Sequence, residues 1–330
     1  SGATALTKLS VSNNQLTSLN VSGATALTKL SVSNNQLTSL DLSNNNKLKN
    51  GFFDLMISGN PFERKNINVI SGFSYSFDKL PETTVKFPSQ FNYNPTYSTI
   101  SGLTLNGATF KADRAGTYIL YRRNEEPYFS EKFTIEVIGN PTSEKYTFVG
   151  RYFVYIGTDS YDDVLNNISI ENAELAVDKE NGKLIINKDG EKIDQVEIIR
   201  LNVLNTDYRV GDDYIYVHDD TDKEILENLE VLRSNQKYEN GLSIKNGYVY
   251  VNVGAGNTFA KLKIVRSNIK NYKYSERSNF IYIRDDNYNQ IKPNIDVTNG
   301  TLVIDNEGGY INIKKGDDLL RRYEIIELDT

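Results

Sequence analysis

Cysteine is absent from the 330 residues, so neither a disulfide framework nor a thiolate metal site is available. Tryptophan is absent as well, and histidine and methionine occur once each, as His218 and Met56. No apolar run approaches the ~20 residues a membrane span needs, and neither a signal peptide nor a sorting tail is visible. A strong positive charge is also missing. The net charge is -6, unevenly placed: residues 1–60 carry +2, residues 61–140 carry +1, and residues 141–330 carry -9. That distribution offers no phosphate-binding footprint, so nucleic acid is not an expected partner. Phenylalanine and tyrosine supply all the aromatic surface, with tyrosine the commoner at 22 residues. The length suggests two or three domains.

What the chain has instead is repetition. Residues 1–21 read SGATALTKLSVSNNQLTSLNV and residues 22–42 read SGATALTKLSVSNNQLTSLDL, identical at nineteen of twenty-one positions. Leu6, Leu9, Val11, Leu16, Leu19 and Val21 recur as Leu27, Leu30, Val32, Leu37, Leu40 and Leu42. A helix would carry its apolar positions continuously, whereas this pattern stops and restarts. Each LxxLxV predicts a short strand. Asn14 and Asn35 fall where a turn needs side-chain bonds to backbone groups. A period of 21 with these spacings predicts a leucine-rich-repeat solenoid over residues 1–62, its C-terminal cap included.

In such a strand neighbours alternate faces, so inward Leu9 and Val11 put Lys8, Ser10 and Ser12 outward. One repeat later the same positions are Lys29, Ser31 and Ser33. These six residues are the candidate ligand-binding face. Residues 43–62 keep the leucine spacing only in part, as a terminal repeat does. Phe52, Phe53, Leu55 and Phe62 are expected to seal the stack, with an exposed aromatic patch at Phe52 and Phe53 as the alternative.

The repeats resemble those of bacterial surface proteins, particularly the internalins. In their cysteine-ladder variant, cysteine stands where Val11 and Val32 stand here. The resemblance implies a cell-surface setting and an Ig-like domain after the repeats. Residues 63–140 suit that order. Runs at 67–70, 84–87, 101–105, 108–112, 116–122 and 129–137 predict the strands of a small sandwich. Asn106-Gly107 predicts a hairpin, and Tyr118, in Ala115-Gly116-Thr117-Tyr118, is placed for a corner-tyrosine role.

A larger period follows Asn140-Pro141. FVYIGTDS (153–160), YIYVHDDT (214–221) and FIYIRDDN (280–287) open three units, and NNISI, ENLEV and PNIDV follow 13 residues on in each. Three tandem α+β modules are predicted at 141–205, 206–269 and 270–330. Each reads as a first strand near the middle of its sheet, a short helix, then two or three strands. Thr221 and Glu224 fit a capping box, and Tyr155, Tyr216 and Tyr282 occupy matching places. The second module carries an insertion at 233–239.

Chemistry finds little purchase. Asp219, Asp220 and Asp222 lack the spacing and the glycine of a calcium loop, so helix capping is their expected role. His218 aligns with Gly157 and Arg284, which argues against a general base or metal ligand. No nucleophile–base motif is visible. Gly254-Ala255-Gly256-Asn257 lacks the helix and lysine of a phosphate loop and reads as a turn. No catalytic residue, metal or cofactor is expected. The sequence reads as part of a mainly β, multidomain, non-enzymatic bacterial surface protein for adhesion. Its expected partners are a protein or glycan on a host or neighbouring cell, or copies of itself in a stalk or filament.

Overall fold

The computed structural model describes residues 2–49, 51, 53–62, 67–91, 93–125, 128–253, 258–277, 279–284 and 286–327. Phe52 and residues 254–257, where a turn is expected, lie outside them. The chain is mainly β and divides into two compact bodies. The first holds Ser1–Pro141 with Ile170–Glu174 and Asn187–Ile193; the second holds Thr142–Ser169, Leu175–Ile186 and Asp194–Thr330.

In the first body, the strand Lys8–Ser10 pairs in parallel with Lys29–Ser31, Leu9 opposite Leu30. Lys29–Ser31 pairs in parallel with Leu55–Met56. Asparagines close the turns between successive passes of chain. The Asn35 side chain donates to the Val11 and Val32 carbonyls at 2.9 Å and accepts from the Leu16 amide at 3.0 Å. Asn60 repeats the arrangement on Val32, Ile57 and Leu37. One planar amide thereby satisfies backbone groups on neighbouring passes that burial would otherwise leave unpaired. Leu27, Leu30, Val32, Leu37, Leu40 and Leu42 are buried between the passes.

Two expectations for this region need correction. The second LxxLxV of each repeat is not a strand of the stack. Residues 16–21 form none, and Leu40–Asp41 pairs instead with Val85–Lys86. The backbone there is committed to turns, such as the Ala24 and Leu27 amides bonded back three residues. Phe53 is 75% exposed rather than buried at the end of the stack. Leu55 and Phe62 are buried, and the closing layer is completed by Val85, Phe91 and Phe129 from beyond the repeats. Phe62 meets Phe129 at 5.5 Å between ring centroids.

The rest of the first body is two small sheets around one core. Ser74–Ser76, Thr109–Lys111 and Thr104–Asn106 make one, and Ile67–Ile70, Phe129–Ile138, Gly116–Asn124 and Thr96–Thr99 make the other. Phe110, Leu120, Phe133, Ile135 and Val137 fill the space between. The short polar strands Ser74–Ser76 and Thr96–Thr99 escaped the sequence reading, and Val85–Lys86 serves the repeats rather than these sheets. Asn106 pairs with Thr109, so the hairpin loop is Gly107-Ala108, with Gly107 at φ 55°. Tyr118 donates to the Arg114 carbonyl at 3.1 Å. Its ring lies where a Cβ on Gly102 would fall, and only glycine fits there. Arg122 and Glu131 form a buried pair that also holds the Pro81 carbonyl and the Thr84 amide.

Most of the three-fold repetition lies in the second body. In the first module the strand order is Thr147–Val149, Phe153–Tyr155, Glu191–Val203, Lys183–Lys188, Glu174–Asp178. The second runs Arg209–Val210, Tyr214–Tyr216, Thr258–Ile269, Tyr248–Asn252, Leu242–Lys245, and the third runs Ser275–Arg277, Phe280–Arg284, Asp318–Glu327, Tyr310–Lys315, Thr301–Asp305. All three share one order. The strand expected near the middle is second from the edge, because a short strand not read from sequence precedes it. The long strand takes the centre.

The helices Tyr161–Val164, Asp222–Glu227 and Tyr288–Ile291 start at Ser160, Thr221 and Asn287, each with a capping box. The long strands of the first two modules also pair with the module that follows: Ile199–Val203 with Leu229–Arg233, and Arg266–Ile269 with Ile295–Thr298. The insertion in the second module is a hairpin turning at Ser234 and Asn235, with Gln236–Lys237 paired back on Leu232–Arg233.

Candidate functional site

The six residues singled out on the repeats are brought to one face but not to one condition. Lys8 stands opposite Lys29 and Ser10 opposite Ser31 across the parallel ladder. Lys8, Ser10 and Lys29 are exposed, and Ser12 and Ser33 are half-buried. Ser31 is buried at 8%. Its hydroxyl meets that of Ser12 at 2.5 Å, and Met56 flanks it in the sheet. The lysine row also ends differently from a simple ladder. Lys29 Nζ pairs with Asp54 at 2.7 Å, and the bond from Lys29 holds the Asp54 carboxyl below its usual range.

Beside this row is a shallow groove of about 300 Å³ lined by Ser33, Leu55, Met56, Ile57, Ser58 and Tyr128. Tyr128 is 51% exposed. Asp54 and Met56 were not read as site residues, because the strand Leu55–Met56 lies 25 residues beyond the preceding one, off the 21-residue period, and Tyr128 comes from a turn far outside the repeats. The spacing of Leu55 and Ile57, two residues apart as Leu30 and Val32 are, was the available signal.

The second body holds two groupings of polar side chains that composition alone did not reveal. The first occurs three times. Tyr146 donates to Asp159 at 2.6 Å, Tyr208 to Asp220, and Tyr274 to Asp286 at 2.7 Å. Asn167 and Asn294 donate to the same tyrosine oxygens, and Asn228 reaches Asp220. Burial first, then the bond to a carboxylate, pushes these phenols up, Tyr274 to about 12. Asp219, Asp220 and Asp222, expected to cap the helix, have other partners: Asp220 takes Tyr208, Asp219 faces His218, and Asp222, in the first turn, takes Arg266, while Thr221 and Glu224 make the cap. Among the described residues no group of three or more His, Asp or Glu side chains could hold a metal.

The second grouping surrounds His218 where the second and third modules meet. Its Nδ1 faces Asp219 and its Nε2 faces Glu276 at 3.0 Å and 3.1 Å. Tyr323 donates to Glu276 at 2.6 Å, and Arg321 lies 3.8 Å from the same carboxylate. The bond to Glu276 outweighs burial and raises the His218 pKa to about 9. Beside it the Tyr216 and Ser267 hydroxyls share a bond of 2.8 Å. An imidazole with a carboxylate at each nitrogen holds its proton at neutral pH, which suits an ion pair better than a proton acceptor.

No protein-family model matches this chain, and no curated protein does either. One solved structure that it resembles is described as the functional domain of InlJ from Listeria monocytogenes, which includes a cysteine ladder. The likeness has a TM-score of 0.26 at 17% identity and covers 41% of this chain. This chain spans about a third, 34%, of that one. The functional reading therefore rests on the chain's own residues. No helix among the described residues is long and apolar enough to cross a membrane.

Proposed function

We propose that this chain is a non-enzymatic bacterial cell-surface protein that binds a protein or glycan through a repeat scaffold. In this reading residues 1–62 are leucine-rich repeats with their cap, residues 63–140 an Ig-like sandwich, and 141–205, 206–269 and 270–330 spacer modules. The observation that carries it is the in-register parallel ladder of Lys8–Ser10, Lys29–Ser31 and Leu55–Met56, held from behind by Asn35 and Asn60. Strands fixed in this way present a flat, preorganised surface, which lowers the ordering cost of binding. The exposed end of that surface is mixed: a lysine pair, serine hydroxyls, and Met56 beside Tyr128. Tyrosine at the rim of a groove is a frequent interface anchor. Two carboxylates on the sole histidine, and the partnering of the nearby acids, support a structural role for the groups most suspected of chemistry.

The test is an array of host glycans and surface proteins probed with the whole chain, followed by titration of a hit. Changing Lys8, Ser10 and Tyr128 to Glu, Glu and Ala together should weaken binding at least tenfold. Unchanged affinity would remove the strand face from the function.

A further inference from the structure

The two places where modules meet have the same backbone and opposite side chains. Strand register fixes the equivalences: Tyr214 pairs with Lys263 as Phe280 does with Glu324, and Val210 pairs with Ile215 as Glu276 does with Ile281. On that basis His218, Glu276, Arg321 and Tyr323 of the second junction correspond to Gly157, Val210, Ala260 and Leu262 of the first. At the second junction these side chains fill the space between the modules with an ion-paired network. At the first they leave a cleft of about 520 Å³, with Tyr155, Gly157, Asp159, Val210, Ala260 and Leu262 among its walls.

Two features mark this cleft as more than poor packing. Gly157 has φ +63°, as His218 has 58° and Arg284 has 55°, so the backbone accepts a side chain there, yet a Cβ would meet nothing within 4 Å. Tyr155 is only 8% exposed, and among the described residues its hydroxyl has no hydrogen-bond partner. Its counterpart Tyr216 bonds to Ser267, where the first junction has Leu201. Burial alone raises the Tyr155 phenol. That hydroxyl opens on the cleft with no protein group to bond, where an incoming polar group can meet it.

We propose that this cleft binds a neutral sugar ring. One wall, Val210, Ala260 and Leu262, offers aliphatic surface for the C–H face of a pyranose. The other offers the Tyr155 hydroxyl, Thr158 and the carboxylates of Asp159 and Asp212, which accept from ring hydroxyls. Asp159 is already set by Tyr146 and by Lys145 at 2.6 Å, so it is held in place for a ligand. The acids of the rim, Glu144, Asp159 and Asp212, outnumber Lys145 and Lys261, which disfavours an anion. A wholly apolar ligand would leave the Tyr155 hydroxyl and the carboxylates unsatisfied. The volume lies within the roughly 300–1,000 Å³ of ordinary small-molecule sites.

The site is separate from the strand face, and either can fail without the other. The experiment is saturation-transfer NMR of the whole chain with millimolar glucose, galactose, mannose, N-acetylglucosamine and N-acetylgalactosamine, with titration of any binder. Gly157→His copies the plug of the second junction onto a backbone that already adopts its conformation, and Tyr155→Phe removes one oxygen. We expect one or more sugars to bind, at least tenfold loss on Gly157→His, and a three- to tenfold loss on Tyr155→Phe. No transfer to any of the five sugars would overturn the proposal. So would binding that survives Gly157→His in a protein of unchanged thermal stability, a result that would place the sugar elsewhere on the chain.

Discussion

At the first module junction Tyr155, Ile199 and Leu201 pack with Val217, Leu229, Val231 and Leu262 in one apolar cluster. At the second, the same backbone exchange is accompanied by His218, Glu276, Arg321, Tyr323 and the Tyr216–Ser267 pair. Five positions have changed character together. The physical reason is that a partly satisfied polar network in a half-buried site is worse than none. Glu276 alone would be an unpaired carboxylate against aliphatic groups, and His218 alone a desolvated imidazole. The comparison teaches that strand pairing joins the modules and that the side chains in the joint are exchangeable as a set. One set closes the joint, and the other leaves room in it.

The largest effect expected from this difference comes from deleting the shared acceptor. Glu276→Ala leaves His218, Arg321 and the Tyr323 hydroxyl without it, and should destabilise the second junction by about 2–4 kcal/mol, somewhat under the figure for a fully buried pair. Val210→Ala at the equivalent place in the first junction removes only half-buried methyl groups and should cost about 1 kcal/mol. Hydrogen exchange of the Phe280–Arg284 and Phe153–Tyr155 amides would read the two junctions separately. Equal losses would mean that the network contributes no more than packing does.

Acid–base behaviour sharpens the contrast. The His218 pKa is raised to about 9, chiefly by Glu276, so the stability it supplies is complete below its ordinary value of about 6.5 and is lost as pH climbs through 9. Burial works to raise Glu276, but the bonds from His218 and Tyr323 outweigh it and hold it below its usual range. Its contribution is therefore present above about 4.5 and lost only on further acidification. The groups facing His218 are Asp219, Glu276 and, through Glu276, Arg321 and Tyr323. Comparing the wild type with His218→Asn, which tolerates the positive φ, should show a difference on the order of 2 kcal/mol at pH 6 that disappears above pH 9.5. A difference independent of pH would show that the ion pair is not what closes the joint. Gly157, Val210, Ala260, Leu262 and Leu201 carry no titrating group, so those positions add no such dependence at the first junction.

How far the sequence discloses this depends on range. The leucine register and the Asn35 turn were legible because their partners recur at a fixed period. The order of the modules was legible from aromatic runs such as YIYVHDDT. The Tyr–Asp–Asn clusters were also within reach, since tyrosine precedes the aspartate by 12 or 13 residues and asparagine follows it by 8 in all three modules. The edge strands were missed because two or three residues, such as Arg209–Val210, carry too short a pattern to register. The Val85–Lys86 strand was assigned to the wrong sheet, because its partner Leu40–Asp41 is set by three-dimensional packing some 45 residues away. The bonds across the junction join residues 45 to 58 apart, and nothing local in the sequence relates His218 to Glu276 or Tyr323.

The smallest expected effect isolates a single oxygen atom. Tyr216 and Tyr155 hold the same place in successive modules, and both are buried. At Tyr216 the hydroxyl is bonded to Ser267, itself 3% exposed, so Tyr216→Phe leaves a buried serine without that partner. The cost should be about 1 kcal/mol. Tyr155→Phe removes a hydroxyl that has no protein partner and faces the cleft, so stability should change by less than ~0.5 kcal/mol, or rise slightly. Paired thermal melts of the two variants decide the matter, because the chemical change is identical and only the surroundings differ. A loss at Tyr155 as large as at Tyr216 would mean that its hydroxyl is satisfied in solution by water held in the cleft, and the cleft would then be a hydrated site in which a sugar hydroxyl must displace that water to bind.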